Sequence, residues 1–236
     1  MTQLRVYDGP PGAPSFVLAH GAGAGSGHPW MVRVAEGLCA RGVTVVTFDF
    51  DYVAAGRKWP DKAPVLEARY REVVAQITAR DSGKRVAIGG KSMGGRIASQ
   101  IAADCTDRVA CLALFGYPLH PPGKPDKRRD AHLSRAGAPL LLIQGARDPF
   151  GDEGEITALA LRIGATLHVV PLGDHSLSVP KRSGLDAAAL ERDALDAAAR
   201  FIAHHVGGQS LSPAKAARAI GADVALPGRG GAGESG

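Results

Sequence analysis

The stretch RVAIGGKSMGGRIAS, residues 85–99, constrains the fold of this chain more than any other. A short β-prone run, Arg85-Val86-Ala87-Ile88, meets a turn of small residues in which Ser92 stands between Gly90 and Gly94, and a helix-compatible run follows. A serine at such a sharp strand-to-helix turn has strained backbone angles, and side chains two residues before and after it would collide with neighbouring backbone. The turn exposes the serine Oγ, and the helix N-terminus behind it favours developing negative charge. Pattern alone is weak: with 12 serines and 31 glycines in 236 residues, GxSxG arises by chance roughly 0.2 times. A phosphate loop competes, since Gly90-Lys91-Ser92 matches the end of GxxxxGK[ST]. Its first glycine would fall at position 85, which is Arg85. Partners elsewhere in the chain have to decide the matter.

A chain of 24.4 kDa fits one α/β domain with an appendage, large enough to bury roughly 70% of its unfolded surface. Hydrophobic content of 45% and charged content of 22% are globular values. No apolar run approaches the roughly 20 residues of a membrane span, so no membrane association is expected. The start, MTQLRVYDGPPG, lacks the basic and apolar regions of a secretory signal, which makes the cytoplasm the expected location. Cys39, Cys105 and Cys111 form no CxxC pair and adjoin apolar segments, as buried free thiols do. The net charge of +5 is mostly arginine scattered over helices, with one cluster at Lys124 to Arg129, so a solvated surface is expected rather than a nucleic-acid partner.

Strand and helix signals alternate along the chain. Leu4 to Tyr7 is a weak strand, and Phe16 to Ala19 the first convincing one, ending at the loop His20-Gly21-Ala22-Gly23-Ala24-Gly25 before a helix with apolar positions from Trp30 to Cys39. The loop fails as a dinucleotide fingerprint, because GxGxxG would need glycine at Ser26 or His28. A loop that donates backbone N–H groups toward the Ser92 turn fits better. Val43 to Phe48 is a buried strand, and Asp49, Asp51 and Tyr52 at its end read as turn-capping or Arg-pairing residues. A helix from about Pro64 to Arg80, the Ser92 strand and its helix to about Ala103, and a strand at Val109 to Phe115 follow. The proline-rich segment Gly116 to Arg129 is either a rim of the site or a surface connection, and His120 is its candidate for substrate contact. A strand at Pro139 to Gln144, a helix from about Glu153 to Ile163, a strand at Thr166 to Val170 and a helix at Leu185 to His205 complete a domain over residues 1–206. Residues 207–236, rich in Gly and Ala, read as a disordered tail.

The fold expected is therefore α/β, with a mainly parallel, doubly covered sheet. Asp148 and His175 each stand just past a buried strand, which gives the order Ser, Asp, His of the triad found on α/β-hydrolase folds. Asp174 competes as the acid, but its side chain diverges from that of its neighbour His175. The eight histidines include no HExxH, so neither a metal nor a cofactor is expected.

The blocks LAHGAGAGSGHPWM, GGKSMGGRIAS, GYPLHPPGKPDK, QGARDPFG and GDHS resemble the α/β-hydrolase superfamily, in particular its small dienelactone-hydrolase-like branch. More narrowly they are similar to a group related to testis-expressed proteins and to a histone-acetyltransferase-complex subunit, over roughly residues 15–205. The resemblance implies an α/β-hydrolase sheet without a large cap and a serine hydrolase, with some relatives acting as interaction subunits instead. Two functions are carried forward. In one, Ser92, His175 and Asp148 cleave an ester or thioester of a small-molecule acyl substrate, Ala22 and Met93 donate backbone N–H groups to the oxyanion, and His20, Gly21, Lys91 and His120 line the substrate site. In the other, the fold is a non-catalytic module for a protein partner.

Overall fold

The structure, a computed structural model, describes residues 4–105 and 107–207. Continuous apolar runs make its strands: every residue of β2 (Ser15–Ala19), β3 (Thr44–Phe48), β5 (Val109–Phe115) and β6 (Leu140–Gly145) is buried. Parallel strands covered on both faces require such runs. With β1 (Leu4–Tyr7), β4 (Val86–Lys91) and β7 (Thr166–Val170) they form one sheet in the order β1-β3-β2-β4-β5-β6-β7, parallel except for β1.

Alternate residues of each strand serve opposite layers. Val17, Val46, Ile88, Leu112 and Leu142 face a core completed by α3 (Ala63–Arg80), α4 (Met93–Ala102) and α5 (Glu153–Ile163). Phe16, Leu18, Val45, Ala113, Phe115 and Ile143 face the other, completed by α1 (Pro29–Cys39) and α6 (Ala187–Val206). Local signals set several helix ends. His28 caps α1 and is followed by Pro29, Asp152 and Glu155 form a reciprocal capping box on α5, and Gly164 closes α5 in the left-handed conformation.

The sheet's connectivity positions the site. From β2 the chain moves outward to β3, then returns to the other side of β2 to form β4, so strand order reverses between β2 and β4. In an open parallel sheet the carboxyl ends of strands at such a reversal diverge and leave a crevice. The glycine loop after β2 and the Ser92 turn after β4 flank it. No cap domain rises over this end among the described residues. The longest connection without an α-helix, residues 116–139, contains only a 3-10 turn at Leu133–Arg135.

β4 runs on to Lys91, three residues past the expected end at Ile88, the other strands fall within a residue of the expected positions, and α2 (Asp51–Ala54) is an addition: the acid-containing end of β3 turns at once into a short helix. The proline-rich segment is both things it had been expected to be. Its base is buried and closed by the Arg129 N–H donating to the Leu119 carbonyl at 2.8 Å, while residues 122–128 are exposed. Cys105 and Cys111 are buried free thiols, whereas Cys39 is only half-buried. Apart from Gly207, the stretch 207–236 lies outside the described residues.

Tyr70 of α3 ties the two central strands together. Its hydroxyl lies 2.8 Å from the Val17 carbonyl of β2 and accepts from the Gly89 N–H of β4 at 2.9 Å, with the Gly89 carbonyl also within reach. Complete burial pushes the phenol pKa far up, so it stays a neutral donor. Tyr70→Phe leaves buried backbone groups without this partner and is expected to lower unfolding free energy by about 1–3 kcal/mol in urea denaturation.

Candidate active site

The Ser92 turn is built by close backbone approach. Ser92 itself has φ 50° and ψ −115°, a conformation that side chains rarely adopt, and its N–H donates to the Phe115 carbonyl of β5 at 2.9 Å. A Cβ on Gly90 would stand 2.5 Å from the Ala19 carbonyl oxygen and 2.7 Å from Gly94 C. One on Gly94 would stand 2.5 Å and 2.6 Å from the Ala19 and His20 carbonyl oxygens. Only bare backbone lets α4 lie this close to β2. The turn aims Oγ at the crevice, 2.8 Å from His175 Nε2.

His175 is fixed from several sides. Its Nδ1–H donates to Asp148 Oδ2 at 2.8 Å, which leaves Nε2 as the acceptor facing Ser92. Asp148 is buried, and its remaining acceptor capacity is met by Gln144 Nε2 at 2.9 Å on Oδ2 and the Phe150 N–H at 2.9 Å on Oδ1. These donors compensate the cost of burying the carboxylate. The Phe150 ring lies 4.2 Å from the imidazole centroid. Lys91 Nζ donates to the His175 carbonyl at 2.8 Å, and a Cβ on Gly116, whose φ is +60°, would stand 2.6 Å from that same oxygen. Asp174 is engaged elsewhere: its Oδ1 accepts from the N–H groups of Ser176 and Ser178 and shapes the turn.

The loop after β2 forms the opposite wall. Gly21 lies against the Ser92 turn, a Cβ there falling 3.6 Å from Ser92 Cβ. The N–H groups of Ala22 and Met93 have no protein acceptor among the described residues, and both residues line the cavity over Ser92. Asp49 organises the loop by accepting the Ser26 N–H at 2.6 Å, the turn-capping role expected of it. The cavity has a volume of about 690 Å³ and is open to solvent.

The structure brings Ser92, Asp148, His175, Gly21, Ala22, Met93 and Lys91 to one place, and it keeps His20 and His120 away from the cavity. His20 is fully buried beneath the glycine loop. Its Nε2 accepts the Phe50 N–H at 3.2 Å and its Nδ1–H donates to the Gly21 carbonyl at 2.8 Å, so it shapes the loop from below. His120 turns its ring to the Glu155 carboxylate at 3.0 Å and to the Pro121 carbonyl, which raise its pKa and leave no nitrogen for a substrate. Lys91 does line the cavity, with its ammonium held on the His175 carbonyl and 5.2 Å from the Trp30 ring centroid. Gln144, Phe150 and Arg96 are the contributors that sequence reasoning passed over, while Arg129, at the end of the proline-rich segment read as a possible rim, does line the cavity. A glutamine inside the otherwise apolar run LLLIQG was the available signal for the first of them.

The His20 contacts make a pH prediction. Burial is the main cause that lowers its pKa below 6.5, against opposing contributions from the Gly21 carbonyl and Asp49. The unfolded chain therefore binds this proton more readily than the folded one. Stability that is complete above pH 6.5 should decline as the pH falls below that value, until the folded form also protonates. Thermal melts from pH 7 to 5 should show a steeper loss of stability in the wild type than in His20→Gln.

A family model described as Alpha/beta hydrolase domain matches residues 12–203. Among solved structures, Est1E of Butyrivibrio proteoclasticus with bound ferulic acid is 18% identical, with a TM-score of 0.67 and coverage of 87% of this chain and 96% of that one. A dienelactone hydrolase from Anabaena variabilis is 21% identical, with a TM-score of 0.63 and coverage of 87% and 98%. A serine hydrolase without a lid from Xanthomonas campestris is 20% identical, with a TM-score of 0.61 and coverage of 85% and 94%. At these identities the solved structures establish a shared fold, and the family match over most of the described sheet and its loops goes further: the chain belongs to the alpha/beta hydrolase family.

Proposed function

We propose that this protein is a serine hydrolase that cleaves a carboxylic ester or thioester of a small acyl substrate through an acyl-enzyme. The observation that carries this reading is the hydrogen-bonded row Ser92–His175–Asp148, with both links at 2.8 Å and the serine in a strained turn. His175 Nε2 takes the Ser92 proton as Oγ attacks the carbonyl carbon, and Asp148 holds the imidazole in the required tautomer and stabilises the imidazolium. The carbonyl oxygen, now negative, sits against the N–H groups of Ala22 and Met93, each such donor contributing about 3 kcal/mol to lowering the barrier. Collapse of the tetrahedral intermediate expels the alcohol or thiol, which receives the proton from His175. Water then attacks the acyl carbonyl as His175 Nε2 takes its proton, and collapse of the second tetrahedral intermediate breaks the bond to Ser92 Oγ, which receives that proton from His175 as the acid leaves.

The absence of a cap among the described residues leaves the cavity open, which suits small acyl groups. The similarity to a dienelactone hydrolase and to a serine hydrolase without a lid supports this chemistry.

Labelling with a fluorophosphonate probe, followed by an ester and thioester panel, tests the proposal. Ser92→Ala should abolish labelling and reduce turnover on the order of 10⁴-fold or more, and Asp148→Asn should reduce kcat about 10⁴-fold through the wrong imidazole tautomer. Folded wild-type protein that neither labels nor turns over any ester would favour a non-catalytic protein-interaction module on the same fold.

A further inference from the structure

Three cationic side chains and one carboxylate reach the cavity beside Ser92: Lys91, Arg96, Arg129 and Asp61. Two of the four are already matched. The Lys91 ammonium is on the His175 carbonyl, and Asp61 accepts both terminal guanidinium nitrogens of Arg57 at 2.6 and 2.9 Å. Arg96 and Arg129 are not matched: among the described residues neither guanidinium has a carboxylate within ion-pair distance. The acids near them are engaged by other arginines, Glu67 by Arg71 and Asp130 by Arg128 and Arg162.

The two arginines come from elements that hold them in place. Arg96 lies one helical turn after Ser92 on α4, so its side chain leans back over the nucleophile's end of the helix. Arg129 stands where the proline-rich segment returns, pinned by its N–H on Leu119 and by the Tyr117 hydroxyl donating to its carbonyl at 2.6 Å. Both residues are half-buried. Burial first, and the nearby charge of Arg129 second, hold Arg96 below the ordinary guanidinium pKa. Two like charges facing one cavity without a counter-ion is an unfavourable arrangement that an anion would relieve, and the planar fork of arginine suits carboxylate and phosphate.

We propose that Arg96 and Arg129 form an anion subsite, so that the preferred substrate is an ester or thioester carrying a carboxylate or phosphate a short chain away from the scissile carbonyl. This rests on the serine-hydrolase reading for the bond that is cleaved. Arg96 and Arg129 line the same cavity as Ser92, and acyl chains with the anion about five bonds from the carbonyl sample its width.

The test compares 4-nitrophenyl hexanoate with mono-4-nitrophenyl adipate, acyl groups of equal length that end in a methyl and a carboxylate. The readout is the ratio of kcat/KM for adipate over hexanoate in the wild type, Arg96→Met, Arg129→Met and Arg96→Lys. The ratio should exceed one in the wild type, fall about tenfold or more in each methionine variant, and recover in part with lysine. Arg96→Gln replaces any methionine variant whose thermal transition is lost. Competitive inhibition by inorganic phosphate separates the two anion sources. A wild-type ratio near one, with phosphate inhibition that disappears in Arg96→Met and Arg129→Met, assigns the subsite to phosphate. A ratio that the substitutions do not move, together with phosphate inhibition that they do not move, overturns the proposal. If the wild type cleaves neither ester, fluorophosphonate labelling decides the hydrolase reading separately, absence of label on folded protein overturning it. Calorimetric titration of Ser92→Ala with adipate and phosphate then decides the subsite: binding lost on adding Arg96→Met supports it, and no binding or unchanged binding overturns it.

Discussion

The site depends on how closely α4 lies against the carboxyl end of β2. Carbonyl oxygens of Ala19 and His20 occupy the space where a side chain on Gly94 would be, and the Ala19 oxygen also blocks Gly90. That approach does two things at once. It accompanies φ 50° at Ser92, and it brings the glycine loop that follows β2 alongside the helix N-terminus, so Ala22 and Met93, whose N–H groups have no protein acceptor among the described residues, line one cavity. The strain at Ser92 is sustained by the surrounding sheet: β4 is paired on both sides, and the Ser92 N–H continues its ladder onto β5. The histidine side of the site is built differently, by hydrogen bonds to buried partners and by the Lys91 and Gly116 contacts with the His175 backbone.

Most of the fold was legible because the strands are continuous apolar runs bounded by glycine and proline, the pattern that local sequence states most directly. The first helix of the site's far wall and the α5 capping box were equally local. What sequence could not show was which of several chemically suitable side chains point at the crevice. His20 and His120 have the right chemistry and sit on loops at the right end of the sheet. Long-range partners, Phe50 for one and Glu155 for the other, draw their rings away. The α2 helix and the role of Gln144 depend in the same way on tertiary contacts, the latter with Tyr117, Asp148 and Gly151. Asp148 and His175 were legible through their order and their strand-end positions, since a parallel sheet delivers every strand end to the same side.

The charges around the cavity are arranged with comparable economy. Acids at its margin are paired with arginines that do not enter it, Asp61 with Arg57 and Asp130 with Arg128 and Arg162. Of the cations that line it, Lys91 has Asp148 and Asp174 nearby, whereas Arg96 and Arg129 have no carboxylate within ion-pair distance among the described residues. A net charge of +5, unremarkable in composition, thus includes two guanidinium groups placed together beside Ser92.

The reversal of strand order between β2 and β4 also has a bearing on how the molecule assembles. Ser92 follows β4, Asp148 follows β6 and His175 follows β7, so the three meet only after the sheet has grown outward across successive parallel crossovers. Such non-local pairing is slow to form, and β7, which delivers His175, is an edge strand three positions from β4. A chain emerging from synthesis would carry the strained serine turn and both N–H donors well before it possessed the imidazole. The hydrogen-bonded row of Ser92, His175 and Asp148 is thus a property of the finished sheet, and its last component arrives with the last strand.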